Sequence, residues 1–364
     1  MIELRLLTAL PILVALGCGD PHEPLPLDQE PPTISVVTTP SEAVFPPLMT
    51  SLEGCLIGGG ELVEVASVDN NDTREHGGVW TFGIAPDRRI AVASEDGTIK
   101  LWTLDGFVEE LDPGAFLYGV EVEGSQVTDI AFRGDYIIAG DVRGVVSAWR
   151  GTSPNIIGGT DPDTSITAVA VDDARGWVAH ADQQLGGNVM VRGMDDATNF
   201  GPLETDIGTV NDLAFVDGAL LVVGRGEHPG MELRDREDPN LVLARFATDR
   251  SFNALTEVAV SEGAETIAFV SLETVGVVND SLELRWITEA GHSHVPVSVD
   301  VAGTGRAIFT AGAEGVLRAW SGVDGTELAA VPVNEPVGVR VDAAGDLVIV
   351  GSRDGMLHAF SCEG

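Results

Sequence analysis

Apolar and polar residues alternate along most of this chain, and the alternation recurs in a fixed unit. From about residue 78 onward, each unit has an alternating strand, a second strand of small apolar residues, a tight turn, and a third strand that often ends in tryptophan. Alternation with a period of two places successive side chains on opposite faces of a strand. No unit shows the apolar period of a helix, so the pattern predicts an all-β fold.

The tight turn and the third strand mark the repeat most clearly. Their turn positions are 97, 144, 187, 230, 281, 315 and 355, which are about 43 residues apart on average. They read GTIKLW, GVVSAW, GNVMVR, GMELRD, SLELRW, GVLRAW and GMLHAF. A repeat of this length with several short strands is typical of propeller blades. We therefore expect a seven-bladed β-propeller over residues 55–364, with six and eight blades as alternatives.

The repeats resemble those of the WD-repeat propeller family, over about 85% of the chain. Ser94-Glu95-Asp96-Gly97 followed by Trp102 matches best, and Gly291-His292 is similar to the Gly-His that begins a family repeat. The resemblance implies a buried Asp–His–Ser–Trp hydrogen-bond set, which we find complete in no repeat. Val92 and Val350 stand where the family has a hydroxyl. The last repeat, LVIVGSRDGMLHAF, is also similar to quinoprotein-type propellers.

The last repeat ends at its third strand, because only four residues follow Phe360. A blade without its fourth strand would leave an unpaired edge. The stretch 55–67 contains ELVEVAS, which alternates like a strand, so we expect it to complete the last blade. Antiparallel pairing then brings Cys55 beside Cys362. We predict a disulfide between them in an oxidising compartment, the alternative being two free thiols.

The N-terminal segment predicts export. The apolar stretch Leu6–Leu16 is too short to span a bilayer of ~30 Å and suits the core of a signal peptide over residues 1–17. Ala15-Leu16-Gly17-Cys18 resembles the bacterial lipobox, which implies that Cys18 is lipidated; an ordinary cleaved signal is the alternative. Residues 18–54 are rich in proline and predict a tether. With Gly19 after the cysteine, we expect an outer-membrane lipoprotein of the cell envelope, periplasmic or surface-exposed.

The charge balance excludes some partners. With 57 acidic and 20 basic residues, the net charge is −37. This charge argues against nucleic acid and against docking on anionic lipid, so we expect membrane contact through the lipid anchor only. We also expect a monomer. The chain has no G-x-S-x-G, H-E-x-x-H, Walker or C-x-x-C motif. We expect no cofactor; the acidic runs 69–72 and 161–163 leave calcium as an alternative.

The candidate binding residues lie in the turns between second and third strands, which converge around one end of a propeller channel. They are Asp96, Asp141, Arg143, Arg225, His228, Arg353 and Asp354. Arginines on an acidic rim orient carboxylates or acidic side chains of a partner. The alternative is that they balance neighbouring acidic residues. The turns at 181–188, 224–230 and 271–281 are longer, which favours that side for docking.

We therefore expect a non-catalytic scaffold that binds a protein or peptide partner. The alternatives are a propeller enzyme, similar to lactonases or quinoproteins, with a metal in its channel, and a surface or adhesion protein. Acidic, Asn or His side chains converging on the axis would favour the enzyme. An axis of Val, Ala and Gly would favour the scaffold, and first strands such as ITAVAV and VNDLAF favour the latter.

Overall fold

The computed structural model describes most of the chain after residue 50, and every described residue belongs to one compact unit, Pro47–Gly364. The described ranges are 51–70, 78–94, 97–104, 106–111, 126–150, 153–159, 164–183, 188–195, 199–203, 205–225, 229–235, 237–247, 255–272, 274–288, 292 and 296–363. Within them, no helix is long and apolar enough to cross a membrane.

The structure is a β-propeller, since its strands form seven antiparallel sheets of four strands each. The prediction of seven blades is therefore confirmed. First strands of neighbouring blades contact each other around the axis, so the first strand of each blade is innermost. The strands of blades one to six are β2 (Val79–Ile84), β3 (Ile90–Ser94), β4 (Ile99–Thr103) and β5 (Gly106–Leu111); β6 (Val127–Arg133), β7 (Tyr136–Asp141), β8 (Val145–Arg150) and β9 (Ser153–Gly159); β10 (Ile166–Asp172), β11 (Trp177–Asp182), β12 (Val189–Gly193) and β13 (Asn199–Leu203); β14 (Thr209–Val216), β15 (Ala219–Arg225), β16 (Gly230–Arg234) and β17 (Val242–Ala247); β18 (Leu255–Val260), β19 (Ile267–Ser271), β20 (Val275–Val278) and β21 (Leu284–Thr288); β22 (Pro296–Val301), β23 (Ala307–Gly312), β24 (Val316–Ser321) and β25 (Glu327–Pro332).

The core lies between the blades. Second strands such as β3, β11, β23 and β27 (Val348–Ser352) are buried at every position. A strand covered on both faces reads as a continuous run of small apolar residues rather than an alternation. This explains the runs IAVAS and AIFTAG, whose Val, Ala and Ile side chains let adjacent blades approach closely.

The seventh blade closes the ring with the N-terminal strand, as predicted. Its strands are β26 (Pro336–Val341), β27, β28 (Met356–Glu363) and β1 (Glu61–Asp69). β1 runs antiparallel to β28, with Glu61 opposite Glu363 and Asp69 opposite Met356. The ELVEVAS part of the stretch 55–67 forms β1 as predicted, whereas Cys55 at its start lies in the helix α1 (Leu52–Ile57).

Helix α1 is fixed to the ring by a covalent bond and by buried contacts. Cys55 and Cys362 form the predicted disulfide, with sulfurs 2.06 Å and Cα atoms 6.0 Å apart. The buried carboxylate of Glu53 accepts the Thr304 hydroxyl (2.8 Å) and the Arg306 N–H (3.0 Å) of blade six. Gly60 is required beside the disulfide, because a Cβ there would lie 2.4 Å from Cys55 Sγ.

The predicted register of blade five is wrong. Its third strand is β20, reached by a tight turn in which Ser271 and Thr274 hydrogen-bond, so residues 271–281 do not form a long turn. The segment SLELRW belongs instead to the next hairpin and to the outer strand β21. Its Trp286 donates to the Gly322 carbonyl of blade six (3.0 Å). The hairpin before β21 is acidic and is followed by Trp286, so in sequence it resembles a repeat turn and third strand. The turn that does join the second and third strands, between β19 and β20, lacks the expected glycine.

Candidate functional site

One end of every blade carries both the start of its first strand and the turn between its second and third strands. Val127 of β6 pairs with Asp141 at the end of β7, and Thr209 of β14 pairs with Arg225 at the end of β15. We call this side of the ring the turn face. The predicted binding residues that the structure describes lie on it, around the mouth of the central channel.

Asp141 and Arg143 pair with each other within their own turn. Arg143 Nη2 lies 2.6 Å from Asp141 Oδ2, and Asp141 Oδ1 accepts the N–H groups of Arg143 (2.8 Å) and Val145 (3.1 Å). Asp141 is buried. The charge of Arg143 is therefore balanced by a neighbouring acidic residue, which was the alternative to partner binding, although this residue belongs to the same turn and not to a neighbouring blade. The pair, together with the backbone hydrogen bonds to Asp141, fixes the conformation of the turn.

The other predicted residues divide into two groups. Arg225 and Arg353 are exposed and have no ion pair among the described residues, so they offer cations on the turn face. Asp354 accepts from Asn334 Nδ2 (2.8 Å) and from the Met356 N–H (3.2 Å). The remaining predicted residues lie outside the described residues: Asp96, His228 and the lipidation candidate Cys18.

A ring of seven bulge residues surrounds the channel mouth, and the sequence analysis missed it. In every blade the pairing of first and second strands shifts by one residue near the start of the first strand. A bulge of this kind leaves one residue unpaired and re-aims its side chain. The residues at these positions are Trp80, Thr128, Thr167, Asn211, Thr256, Val297 and Val337, and all of them line a cavity of about 210 Å³.

Trp80 distinguishes this ring from a plain polar rim. Its side chain is 43% exposed, although tryptophan is mostly buried in soluble proteins. Its neighbours in the ring are Thr128 of blade two and Val337 of blade seven, so the aromatic surface lies between a hydroxyl group and an apolar side chain. Paired polar residues interrupt the alternation at the bulges of blades two, four and five, as in QVTDIAF, but no such pair marks the bulges of blades three, six and seven.

Deeper in the channel, aspartate carboxyl groups join neighbouring blades by accepting hydrogen bonds from the backbone of the next blade. Asp129 Oδ2 accepts the Val169 N–H of the next blade (2.8 Å). Asp212 Oδ2 accepts from Val258 (2.8 Å) in the same way. In each, the other carboxyl oxygen accepts the N–H of the following residue. Asp300 repeats the arrangement between blades six and seven.

The expectation of an axis lined by Val, Ala and Gly is therefore wrong. The bulge shifts the alternation by one residue, so that acidic side chains of the first strands turn toward the channel. A single described cation faces them: Arg340 Nη1 lies 2.7 Å from Glu257 Oε1 and 3.1 Å from Ser298 Oγ. Its guanidinium also stacks over the Phe82 ring, 5.9 Å from the centroid.

The channel carboxyl groups are hard to ionise. Burial raises the pKa of Asp129 and of Asp300 to about 6, against the opposing effects of Arg340 and of backbone N–H groups. Burial, with the neighbouring Glu257 and Asp129 carboxylates, raises the pKa of Asp212 well above its usual value. Burial lowers the pKa of Arg340, but Glu257, Asp300 and Asp129 outweigh it and raise that pKa.

The blades are held internally by variants of the hydrogen-bond set that the resemblance implied. In blade six, His292 Nδ1 lies 2.5 Å from Glu314 Oε1 and Nε2 lies 2.7 Å from Thr310 Oγ1, which also accepts from Trp320 Nε1 (2.8 Å). A carboxylate only accepts, so Nδ1 carries the proton and the Thr310 hydroxyl donates to Nε2. The set is thus complete in blade six, with Glu and Thr in place of Asp and Ser, contrary to our expectation.

Blade one uses an asparagine where blade six has histidine. The buried Asn70 donates to Ser94 Oγ (2.9 Å), and its Oδ1 accepts from Trp102 Nε1 (2.8 Å). Asn70 belongs to the run 69–72 that left calcium as an alternative; the rest of that run after Asn70, and the run 161–163, lie outside the described residues. Within the described ranges, no three His, Cys, Asp or Glu side chains are grouped to hold a metal ion.

Blade four replaces the tryptophan with a buried ion pair. Arg234 lies opposite Leu220, as Trp320 lies opposite Ile308 in blade six. Its Nη2 is 2.5 Å from Glu232 Oε2, and the two side chains are 2% and 0% exposed. A charge at this depth needs its partner, because an unpaired buried ion is strongly destabilising.

These observations define the class of protein: a closed seven-bladed β-propeller whose first strands line a polar channel. The model of the WD domain, G-beta repeat, matches residues 70–103, which include Asn70, Ser94 and Trp102. The resemblance to WD-repeat propellers seen in the sequence is thus confirmed by the repeat that these residues form.

Solved structures agree with this class. The crystal structure of the WD40 β-propeller domain of Doa1 is similar with a TM-score of 0.64 and 16% identity, over 83% of this chain and 97% of that chain. The computationally designed Ika8 protein is similar with a TM-score of 0.59 and 17% identity, over 78% and 83%. At these identities the likeness shows the fold alone. No curated protein sequence matches the chain.

Proposed function

We propose that this chain is a non-catalytic scaffold that binds a protein or peptide partner on the turn face of its propeller. The observation that carries the proposal is the exposed Trp80 at the rim of the channel mouth. Exposed aromatic residues beside a concavity are the usual anchors of binding energy at interfaces. The exposed Arg225 and Arg353 on the same face add cations that steer and orient acidic groups of the partner.

The proposal includes the place where the scaffold acts. Cys18 is the lipidated residue after a signal peptide over residues 1–17, and residues 18–54 tether the propeller to the outer membrane. Replacing Cys18 with serine tests this part: metabolic labelling with a fatty acid marks the wild-type protein and not the variant. Equal labelling of both proteins would contradict lipidation at Cys18.

The scaffold is tested by proximity crosslinking with mass spectrometry in the native cell envelope. Trp80→Ala is compared with Val323→Ala, which removes an exposed side chain (71%) from the turn after the third strand of blade six, at the opposite end of that blade. We expect a reproducible partner that is lost with Trp80→Ala and retained with Val323→Ala. Recovery of the same proteins with both variants would overturn the turn face as the binding surface.

A metal-dependent propeller enzyme is the second candidate, because four acidic side chains converge on the channel. Three of them weigh against it, since Asp129, Asp212 and Asp300 each use both carboxyl oxygens to accept backbone N–H groups. Metal analysis of the purified protein decides between the candidates. Stoichiometric metal that Glu257→Gln abolishes would place the enzyme first.

A further inference from the structure

The ring of bulge residues at the channel mouth has a polar part and an apolar part. The polar arc comes from blades two to five and consists of Thr128, Thr167, Asn211 and Thr256. The apolar arc comes from blades six, seven and one and consists of Val297, Val337 and Trp80. Consecutive blades are neighbours around the axis, so each arc is unbroken. Both arcs line the same cavity of about 210 Å³.

The polar arc offers mainly hydrogen-bond acceptors. Thr128 Oγ1 donates its proton to a carbonyl of the paired second strand (3.1 Å), and Thr256 Oγ1 does the same in blade five (3.2 Å). Asn211 Nδ2 donates to the Leu255 carbonyl of the next blade (2.5 Å). A hydroxyl group has one proton, so both threonine oxygens can only accept from a ligand, as can Asn211 Oδ1. Among the described residues, no group donates to these three oxygens.

The charge beneath the polar arc is negative. Asp129, Asp212 and Glu257 line the deeper part of the same cavity. The N–H groups that bind the two aspartates are neutral and do not cancel a charge, and Arg340 balances only Glu257. Burial raises the pKa of Asp129 to about 6, so this carboxylate is ionised at neutral pH. Acceptor oxygens above a negative charge favour a cationic group that only donates.

A lysine side chain has the same division as the ring. Its ammonium group carries a compact positive charge with three donors and no acceptor, which matches the polar arc. Its four-carbon stem is apolar and packs on apolar surface while the charged end stays in a polar environment. Trp80 supplies exposed surface for this stem, and Val297 and Val337 beside it are only partly buried.

An arginine or a sugar fits the mouth less well. The planar guanidinium fork suits a carboxylate that can bind it with both oxygens, but Glu257 Oε1 already binds Arg340 and its Oε2 accepts the Val299 N–H. Sugar hydroxyls donate and accept, so a sugar site needs donors as well as acceptors. In the polar arc only Thr167 has a hydroxyl proton without a partner among the described residues.

We propose that the partner of the turn face inserts a lysine side chain into the channel mouth, with its ammonium group on the polar arc and its stem on the apolar arc. This inference rests on the proposed function and identifies the anchor of that partner. Arg225 and Arg353 lie at the ends of second strands, outside the ring, and bind acidic residues on either side of the lysine.

The test uses the folded wild-type chain and a fluorescein-labelled peptide, ESGKGSE, with fluorescence anisotropy at neutral pH as the readout. One comparison peptide carries trimethyllysine, which keeps the charge and loses the N–H donors. Another carries norleucine, which keeps the stem and loses the charge. We expect saturable binding of the lysine peptide that either replacement weakens tenfold or more, about 1.4 kcal/mol. Equal or tighter binding of the trimethyllysine peptide would overturn the proposal, as would no saturable binding up to about 1 mM, the weak end of specific affinity.

Substitutions in the chain then place the lysine in the mouth. Thr256→Val removes one acceptor and keeps the shape of the side chain. Its matched control is Thr326→Val, in an exposed turn after the third strand of blade six, at the opposite end of that blade. We expect Thr256→Val to weaken binding of the lysine peptide about tenfold and to leave the norleucine peptide unaffected, because hydrogen bonds to charged groups are the stronger ones. Equal binding of the lysine peptide by both variants would refute the assignment.

Proximity crosslinking in the native cell envelope separates this inference from the proposed function. A partner that is lost with Trp80→Ala and fully retained with Thr256→Val would leave the turn face as the binding surface and refute the lysine anchor. A partner retained with both variants would refute the turn face as well. Saturable binding of maltose in place of the lysine peptide would show that the mouth is a sugar site, and it would also overturn the proposal.

Discussion

Removing the Cys55–Cys362 disulfide should lower the stability of the propeller by several kcal/mol. The bond joins residues 307 positions apart, and it holds the one blade whose strands come from both ends of the described sequence. On the loop-entropy model a closed loop of this length is worth about 6 kcal/mol, an upper value because denatured chains retain structure. Since the net stability of a domain is about 5–15 kcal/mol, the loss would be a large part of the total.

The assay is equilibrium unfolding in urea, followed by tryptophan fluorescence, on the oxidised wild type, the reduced wild type and the Cys55→Ala/Cys362→Ala double variant. We expect the last two to share a midpoint well below that of the oxidised protein. Alanine is the matched replacement because Cys55 is buried beside apolar residues. A double variant that unfolds at the same urea concentration as the oxidised wild type would refute the closure argument, as would free thiols at both positions by mass spectrometry without reduction.

Three further predictions concern buried charges and the disulfide's neighbour. Arg234→Met removes the buried partner of Glu232 and leaves it only the half-exposed Arg245, so it should cost up to about 3–5 kcal/mol in urea unfolding, whereas Arg234→Met combined with Glu232→Leu should recover most of the loss. Because burial raises the pKa of Asp129 to about 6, the contribution of its protonated carboxyl group to stability is present below pH 4 and is lost as the pH rises through 6. The unfolding free energy of the wild type, relative to that of Asp129→Asn, should therefore fall by up to about 3 kcal/mol over this pH range. A difference that does not change with pH would contradict the raised pKa. Gly60→Ala should lower the midpoint of the oxidised protein more than that of the reduced protein, because its Cβ meets both sulfurs.

The blades and their closure were predictable from the sequence because they depend on local repetition. A turn followed by a strand recurs with nearly constant spacing, and the short last repeat calls for a partner strand at the other end of the chain. Blade five was misread because Trp286 follows an acidic hairpin, as Trp102 and Trp320 follow true repeat turns. Only the pairing of β19 with β20 shows that the hairpin between the second and third strands of this blade lies before the acidic hairpin in the sequence.

The candidate site was less predictable, because it depends on which side of a strand faces the axis. A one-residue bulge reverses the alternation, so Asp129 and Asp212 point into the channel although the strands read as ordinary first strands. The binding residues predicted in the turns followed from their position and their charge. Their positions could not show that Asp141 and Arg143 neutralise each other, or that Trp80 is the exposed side chain.

The disulfide also decides how the ring carries mechanical load. A pull on the chain before Ser51 would otherwise peel β1 away from β28 one hydrogen bond at a time, starting at the Glu61–Glu363 pair. The Cys55–Cys362 bond precedes that pair, so tension passes through a covalent link directly into β28. β28 is hydrogen-bonded on both sides, to β27 and to β1, and the load is shared along two rows of bonds instead of falling on one. Separation of the seventh blade by a pull at this end therefore has to break two rows of hydrogen bonds instead of one.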